Sequence, residues 1–457
     1  MSNITEIIEN QRKYYGTNKT KDIDFRIQKL KQLKKEIKNR ENDICSALQK
    51  DLGKHPVESY MVEIGMVLDD LGYIIKHVRK WAKKEYHLTP LSQFPSISYQ
   101  IPESYGVTLV ISPWNYPFLL TMQPLIGAIS AGNCVVVKPS EFSPNVSDVI
   151  KDIIRNVFEK EHVTTILGDK DVCTEILENK FDYIFYTGST NVGKKVMQYA
   201  AKNLTPVTLE LGGKSPCIVD KEASLELTAK RIVFGKLLNC GQTCVAPDYI
   251  LVHKEVKSKF IDYCKMYIEK FLGDNWRDNE EYPKMVNEKH FNRILSLINK
   301  DELIYGGESD KENMKIQPTL LDIKDINSRV MQEEIFGPIL PIIEYEDLHE
   351  AINYINSKEK PLALYLFTNN KGIQKRILKE VSFGGGCIND TIIHLACSKL
   401  GFGGVGNSGI GEYHGKYSFK TFSHYKSILK KSVLLDLPMR YHPYKKINDK
   451  LIRMFMK

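Results

Sequence analysis

Two cysteines four positions apart, Cys240 and Cys244, sit in the small-residue run Asn239-Cys240-Gly241-Gln242-Thr243-Cys244-Val245-Ala246-Pro247. A thiol acts as a nucleophile only when it is reachable and can ionise, and Gly241 lets backbone and ligand approach closely. The run reads as a nucleophile loop in which either sulfur could attack, although a free cysteine also packs readily as a small hydrophobe. Partners must decide between these readings. Asn115 lies in Ser112-Pro113-Trp114-Asn115-Tyr116-Pro117. The prolines set a turn there, and an amide held in it can donate to an oxyanion or, equally, bond its own backbone. Glu210 ends the apolar run from Pro206 to Leu209 and precedes Leu211-Gly212-Gly213-Lys214. Desolvation there would raise its pKa toward that of a general base, and pairing with a lysine is the structural alternative.

A second group of residues suits a nucleotide. Cys134 to Val137 is apolar and delivers Lys138-Pro139-Ser140-Glu141. A Lys and a Glu beyond the carboxyl end of a strand suit phosphate and ribose hydroxyls. Phe181 to Tyr186 runs into Thr187-Gly188-Ser189-Thr190-Asn191-Val192-Gly193-Lys194, a strand, turn and helix start that present backbone N–H groups to phosphate. The spacing G-x-G-x-x-G is absent, and Gly188 with Gly193 is a looser form. Glu334 and Phe336 precede a Gly-Pro turn. The glycine clusters at 383–390 and 402–409 permit tight loop packing, and His394 and His414 read as structural histidines.

The positioning elements alternate. Asp24 to Gln49 and Tyr60 to Trp81 have helical apolar spacing. From Tyr105 to about residue 270, apolar strands alternate with helices such as Pro144 to Lys160 and Leu225 to Leu238, which predicts an α/β fold with ligands at strand ends. Residues 86–104 carry Pro90, Pro95 and Pro102 between short extended pieces and read as an edge ribbon or surface loop. In the tail, Ile447, Leu451 and Met454 or Phe455 share one face opposite basic residues, which permits membrane-surface contact or docking on the protein itself.

Bulk properties narrow the class. With 457 residues, 42% hydrophobic and 26% charged, the chain has the composition of a globular protein of several domains. The net charge of +8 is spread through amphipathic segments, so it reads as solvated surface without a nucleic-acid partner. Nine cysteines without a repeated spacing or a C-x-x-C pair indicate free thiols in a reducing, cytoplasmic setting and no metal site. Met1 to Lys21 is polar and does not read as a signal peptide. Pro117 to Val137 is apolar but broken by Gln123, Pro124, Gly127, Gly132 and Asn133, so it reads as a buried helix and strand.

Taken in order, Pro113 to Pro117, Lys138 to Glu141, Gly188-Ser189-Thr190 with Gly193, Glu210 to Lys214, Gly241 to Cys244, Glu334 to Pro338 and Phe402-Gly403-Gly404 resemble the aldehyde dehydrogenase superfamily. The run from Gly241 to Tyr249 and the Glu412-Tyr413-His414-Gly415-Lys416 motif are similar to its class 3 branch of fatty and aromatic aldehyde dehydrogenases. The resemblance implies two Rossmann-like open-sheet domains plus a small β oligomerisation arm. Residues 1–85 and 105–210 would bind NAD(P), 211–412 would form the catalytic domain, and 86–104 with 413–457 the arm and tail of a homodimer.

It further implies that Cys244 attacks an aldehyde, with Asn115 and the Cys244 N–H holding the oxyanion. Glu210 would activate the water that hydrolyses the thioester. Lys138 and Glu141 would meet the adenosine ribose, Glu334 and Phe336 the nicotinamide ribose, and Gly188, Ser189 and Gly193 the pyrophosphate. Trp114, Ser140 and Leu211 join them as cofactor residues. Glu141 would bond ribose hydroxyls and disfavour a 2′-phosphate, so NAD is expected over NADP. An apolar medium-chain, long-chain or aromatic aldehyde is the expected substrate. The alternatives are a cofactor-independent thiol hydrolase and a semialdehyde-specific or CoA-acylating dehydrogenase. Cys240 departs from the family's usual Ser or Ala, and Gly401 from its proline; the first suggests a Cys240–Cys244 disulfide under oxidative stress.

Overall fold

The computed structural model describes residues 3–273, 275–444 and 446–456. Its first sheet has six strands, in the order Gly409–Ile410, Val207–Glu210, Tyr183–Thr187, Val107–Ile111, Cys134–Lys138, Val163–Thr165. All pair in parallel except Gly409–Ile410, which runs antiparallel to Val207–Glu210. Successive strand side chains point to opposite faces, and the two central strands use this to serve two cores. Val110, Val135 and Val137 pack with the helices Ile23–Asn39, Gly65–Trp81, Leu119–Ala131 and Pro144–Val157. Val107, Leu109, Ile111, Cys134 and Val136 pack with Asn3–Gly16, Lys170–Leu177 and Thr190–Ala201. Burial on both faces is why these strands are continuous apolar runs.

The second sheet has seven strands, in the order Leu303–Tyr305, Thr319–Asp322, Ile339–Tyr345, Tyr249–His253, Pro216–Val219, Ala363–Phe367, Gly385–Ile388. Only Leu303–Tyr305 is antiparallel to its neighbour. The α/β expectation is met by two open, largely parallel sheets. The 86–104 ribbon is a three-stranded antiparallel sheet, in which Ser96–Ser104 lies between Glu85–His87 and the C-terminal strand Ser423–Lys431.

Two helical stretches differ from their periodicity. Asp24 to Gln49 is broken at Arg40 into Ile23–Asn39 and Glu41–Leu52. The segment leading to Trp81 begins with a π-helical turn, Tyr60–Ile64. Such turns re-aim side chains, and this one sets Met61 and Glu63. The tail forms the helix Lys446–Phe455, but the Phe455 side chain lies outside the described residues. No helix among the described residues is long and apolar enough to cross a membrane.

Candidate active site

The carboxyl ends of Val107–Ile111, Tyr183–Thr187 and Val207–Glu210 open onto a cavity of about 270 Å³. Asn115, Glu210 and Cys244 all line it, although they come from positions far apart in the chain. Trp114, Gly188, Ser189, Leu211, Glu334 and Phe336 line it too. Lys138, Ser140, Glu141 and Gly193 lie outside its wall. Lys138 ends the strand beside Val107–Ile111, and its carbonyl accepts the Ser112 N–H at 3.1 Å.

The loop carrying the thiol is bent. Asn239 (φ 50), Cys240 (φ 55) and Gly241 (φ 74) are consecutively left-handed, a conformation costing non-glycine residues about 1–2 kcal/mol each. A Cβ at Gly241 would lie 2.3 Å from the Gly337 carbonyl oxygen, so glycine is required at that turn. Buried Gln242 staples the bend. Its Nε2 donates to the carbonyls of Asn239 and Lys284, both at 3.0 Å, and its Oε1 accepts the Val286 N–H at 3.0 Å. These bonds hold the loop against its strain and turn the two sulfurs different ways.

Cys240 is fully buried, with Sγ 3.3 Å from the Tyr282 hydroxyl and 3.9 Å from the Met285 sulfur. Both thiols are free. The bend that presents Cys244 to the cavity packs Cys240 into the core against Tyr282 and Met285.

Burial dominates the electrostatics. It pushes the Cys244 thiol up to about 12, and Glu334 and then Glu210 add to the shift. Glu210 is held well above the ordinary carboxyl range, first by burial and then by Glu412. Neither of its carboxylate oxygens has a hydrogen-bond partner. Lys214, the lysine that could have neutralised it, pairs instead with Asp248 and donates to the carbonyls of Val330 and Glu333 at 2.9 and 2.8 Å. Glu334 is raised to about 8, chiefly by burial. Both carboxyls thus hold a proton more tightly than an exposed carboxylate does.

The walls fit a dinucleotide. Ser189 caps the helix Thr190–Ala201 by accepting the Val192 N–H at 3.4 Å. A Cβ on Gly212 would stand 2.1 Å from Glu334 Oε2, so this wall is open only because glycine is there. Glu334 Oε1 is buried and unpartnered, as a hydroxyl acceptor would be. Trp114 meets the Phe336 ring edge-on at 5.5 Å and the tilted His290 ring at 5.1 Å, giving one side of the cavity an aromatic wall. Burial lowers His290 to about 4, which keeps that ring neutral.

A second cavity of about 170 Å³ meets the first at Cys244, with Leu120, Phe402 and Tyr413 also shared. Met61, Leu119, Phe234 and Ile392 give it an apolar lining. The sequence reading missed this wall, as it missed His290, Phe402 and Tyr413 as cavity residues. The wall is assembled from separate helices and a loop whose residues look individually like core. His414 also lines it, while burial drives its ring down to about 3 and keeps it neutral.

A thiol, an amide donor and a dry carboxylate lining one cavity at the strand ends of a dinucleotide-type sheet are the groups that an oxidoreductase working through a covalent thioester needs. A sequence model of the aldehyde dehydrogenase family matches residues 2–428. The chain is 48% identical, over 97% of each sequence, to 4,4'-diaponeurosporen-aldehyde dehydrogenase of Staphylococcus aureus (strain NCTC 8325 / PS 47). It is 44% identical to the dimeric NADP-preferring aldehyde dehydrogenase of Canis lupus familiaris, over 97% of this chain and 98% of that one. A solved Staphylococcus aureus AldH structure in a substrate-bound state superposes with a TM-score of 0.98, at 48% identity and 100% coverage of both chains. The chain belongs to the aldehyde dehydrogenase family, and it is an oxidoreductase that converts aldehydes to carboxylic acids with NAD(P).

Proposed function

We propose that Cys244, Asn115 and Glu210 carry out this oxidation on an apolar, medium- or long-chain or aromatic aldehyde. The observation carrying the proposal is that Cys244 stands where the glycine-walled and apolar cavities meet. An aldehyde whose chain lies among Met61, Leu119 and Phe234 presents its carbonyl carbon to Sγ. The thiol proton leaves to solvent water, the S–C bond forms as the carbonyl π bond breaks, and the carbonyl oxygen becomes an oxyanion held by the Asn115 amide and the Cys244 N–H. A nicotinamide dinucleotide would be held against Trp114, Gly188, Leu211 and Glu334 and would supply the acceptor for the hydride that the oxyanion expels. The thioester left on Cys244 is hydrolysed by water that gives its proton to Glu210, and the acid departs as the thiol is restored.

Lys138, Ser140 and Glu141 are assigned to the adenosine end, and Ser189 and Gly193 to the pyrophosphate. NAD is the preferred cofactor on the ground of the Glu141 carboxylate, whose Oε2 lies 3.5 Å from Lys138 Nζ. Residues 1–85 with 105–210 are assigned to cofactor binding and 211–412 to catalysis. Residues 86–104 and 413–457 are assigned to a homodimer contact, a reading supported by the exposed Leu88, Leu91 and Phe94 on the ribbon. The nine free thiols suit a cytoplasmic location, and the basic tail permits peripheral membrane contact at most. Initial rates of NADH and NADPH formation across aldehydes of increasing chain length test the reading. Saturable turnover with apolar aldehydes and a higher kcat/KM with NAD are expected, and preference for small charged semialdehydes would overturn it.

A further inference from the structure

Behind the Asn115 turn lies a buried ion pair that the reaction does not touch. Lys54 and Glu63 are both fully buried and bonded to each other. Lys54 Nζ also donates to the Asn115 backbone carbonyl at 3.1 Å and sits 3.9 Å from the Tyr116 ring centroid. The other Glu63 oxygen accepts the N–H groups of Phe118 and Leu119, at 2.9 and 3.2 Å, where the helix Leu119–Ala131 begins. One ion pair therefore grips both ends of the segment 115–119.

The same segment is tied to the nucleophile loop. Asn239 Nδ2 donates to the Asn115 carbonyl at 2.7 Å, and the Tyr116 hydroxyl bonds Thr243 Oγ1 at 2.7 Å. Asn115 is thus held by its backbone from Lys54 and Asn239, while its side chain reaches toward the thiol loop.

Burying two charges is costly, and well-packed apolar residues of similar volume usually hold two segments at least as firmly. What apolar packing lacks is direction. An ammonium donating to one carbonyl fixes the rotation of that peptide plane, and the Asn115 side chain leaves from the same residue. The π-helical turn Tyr60–Ile64 places Glu63 for this contact. Burial, Glu334 and Glu210 lead the perturbations of the Cys244 thiol, while Lys54 touches the Asn115 carbonyl. We infer that Lys54, set by Glu63, is a positioning residue that orients the Asn115 amide toward the oxyanion formed at Cys244. The inference rests on the assignment of Asn115 as oxyanion donor.

The test needs no cofactor. Hydrolysis of p-nitrophenyl acetate by the full-length enzyme passes through an oxyanion at Cys244, whereas alkylation by iodoacetamide uses the same sulfur without forming one. Lys54→Met is expected to lower esterase kcat about 30-fold to 100-fold, somewhat less than loss of an oxyanion donor. Alkylation should stay within about twofold. In an Asn115→Ala background the same substitution should cost under about threefold more, because residues acting through one another are not additive. If Lys54→Met does not fold, Lys54→Met/Glu63→Gln, which removes both charges of the pair, is read in the same cycle. Equal losses in both backgrounds, a parallel fall in alkylation, or an unchanged esterase rate would each overturn the inference. An Asn115→Ala variant with full esterase activity would instead overturn the assignment of Asn115.

Discussion

Asn115 Nδ2 donates to the Gln242 carbonyl at 3.0 Å, which anchors the amide to the loop that carries Cys244 two residues later. One amide hydrogen is used in that anchor, and the other is left for an oxyanion. The turn and the nucleophile loop are therefore tied directly to each other.

Asn115→Ala removes both the anchor and the donor. Loss of a single oxyanion donor costs about 10² to 10³ in kcat, and a loss of that size is expected in steady-state NADH formation. Cofactor binding, followed by quenching of protein fluorescence, should be nearly unchanged. An Asn115→Ala enzyme within threefold of wild type would remove the amide from the mechanism.

The two cysteines should separate cleanly. Cys244→Ala is expected to abolish dehydrogenase activity while binding NAD normally. Cys240→Ser should keep at least about half the activity and lose about 1 kcal/mol of stability, since a hydroxyl must replace a sulfur packed between Tyr282 and Met285. Activity assays with chemical denaturation check both. Loss of turnover in Cys240→Ser with an unchanged denaturation midpoint would contradict this division of roles.

Much of this was legible in the chain. Strand ends delivering Lys138, Glu210 and the Gly188 turn could be read because fully buried parallel strands are plain apolar runs that stop where chemistry starts. The choice between Cys240 and Cys244 was not local information, because it depends on a left-handed bend held by contacts to Lys284 and Val286. The fate of Lys214 was equally hidden. Its partner Asp248 is 34 residues away, and only the fold shows that Glu210 is left without a cation. The apolar cavity was least visible, because Met61, Phe234 and Ile392 are ordinary hydrophobic residues until three segments converge.

That cavity makes chain length measurable. Each methylene moved from water to an apolar wall contributes about 0.8 kcal/mol, or about fourfold in affinity. kcat/KM should climb by about that factor per methylene across a saturated aldehyde series and level off once the cavity is filled. Met61→Trp, at the exposed side of the π-helical turn lining this cavity, should bring the plateau to shorter chains without affecting acetaldehyde. A flat series, or an equal loss for all aldehydes in the variant, would show that the chain binds elsewhere.

The two buried carboxyls give the pH dependence its sign. Glu210 and Glu334 are both raised, Glu334 to about 8, with burial the first cause in each. A base works in its ionised form, so thioester hydrolysis should quicken with rising pH, about tenfold per unit while Glu210 is mostly protonated. Glu210→Gln should lose about 10² or more in hydrolysis and flatten that limb, with acyl-enzyme accumulating after a normal first-turnover burst. Glu334→Gln should keep the limb. Stability runs the opposite way. A carboxyl whose folded pKa is raised binds its proton more tightly when folded, so the native state loses stability as pH climbs from about 4.5 to about 8 for Glu334. Glu334→Gln has no such proton to lose, so its melting temperature should draw level with or pass that of wild type as pH increases through this window. Melting curves between pH 5 and 9 check the sign, and a difference from wild type that stays constant across that range would show that Glu334 is ionised throughout and paired with a cation such as Arg293.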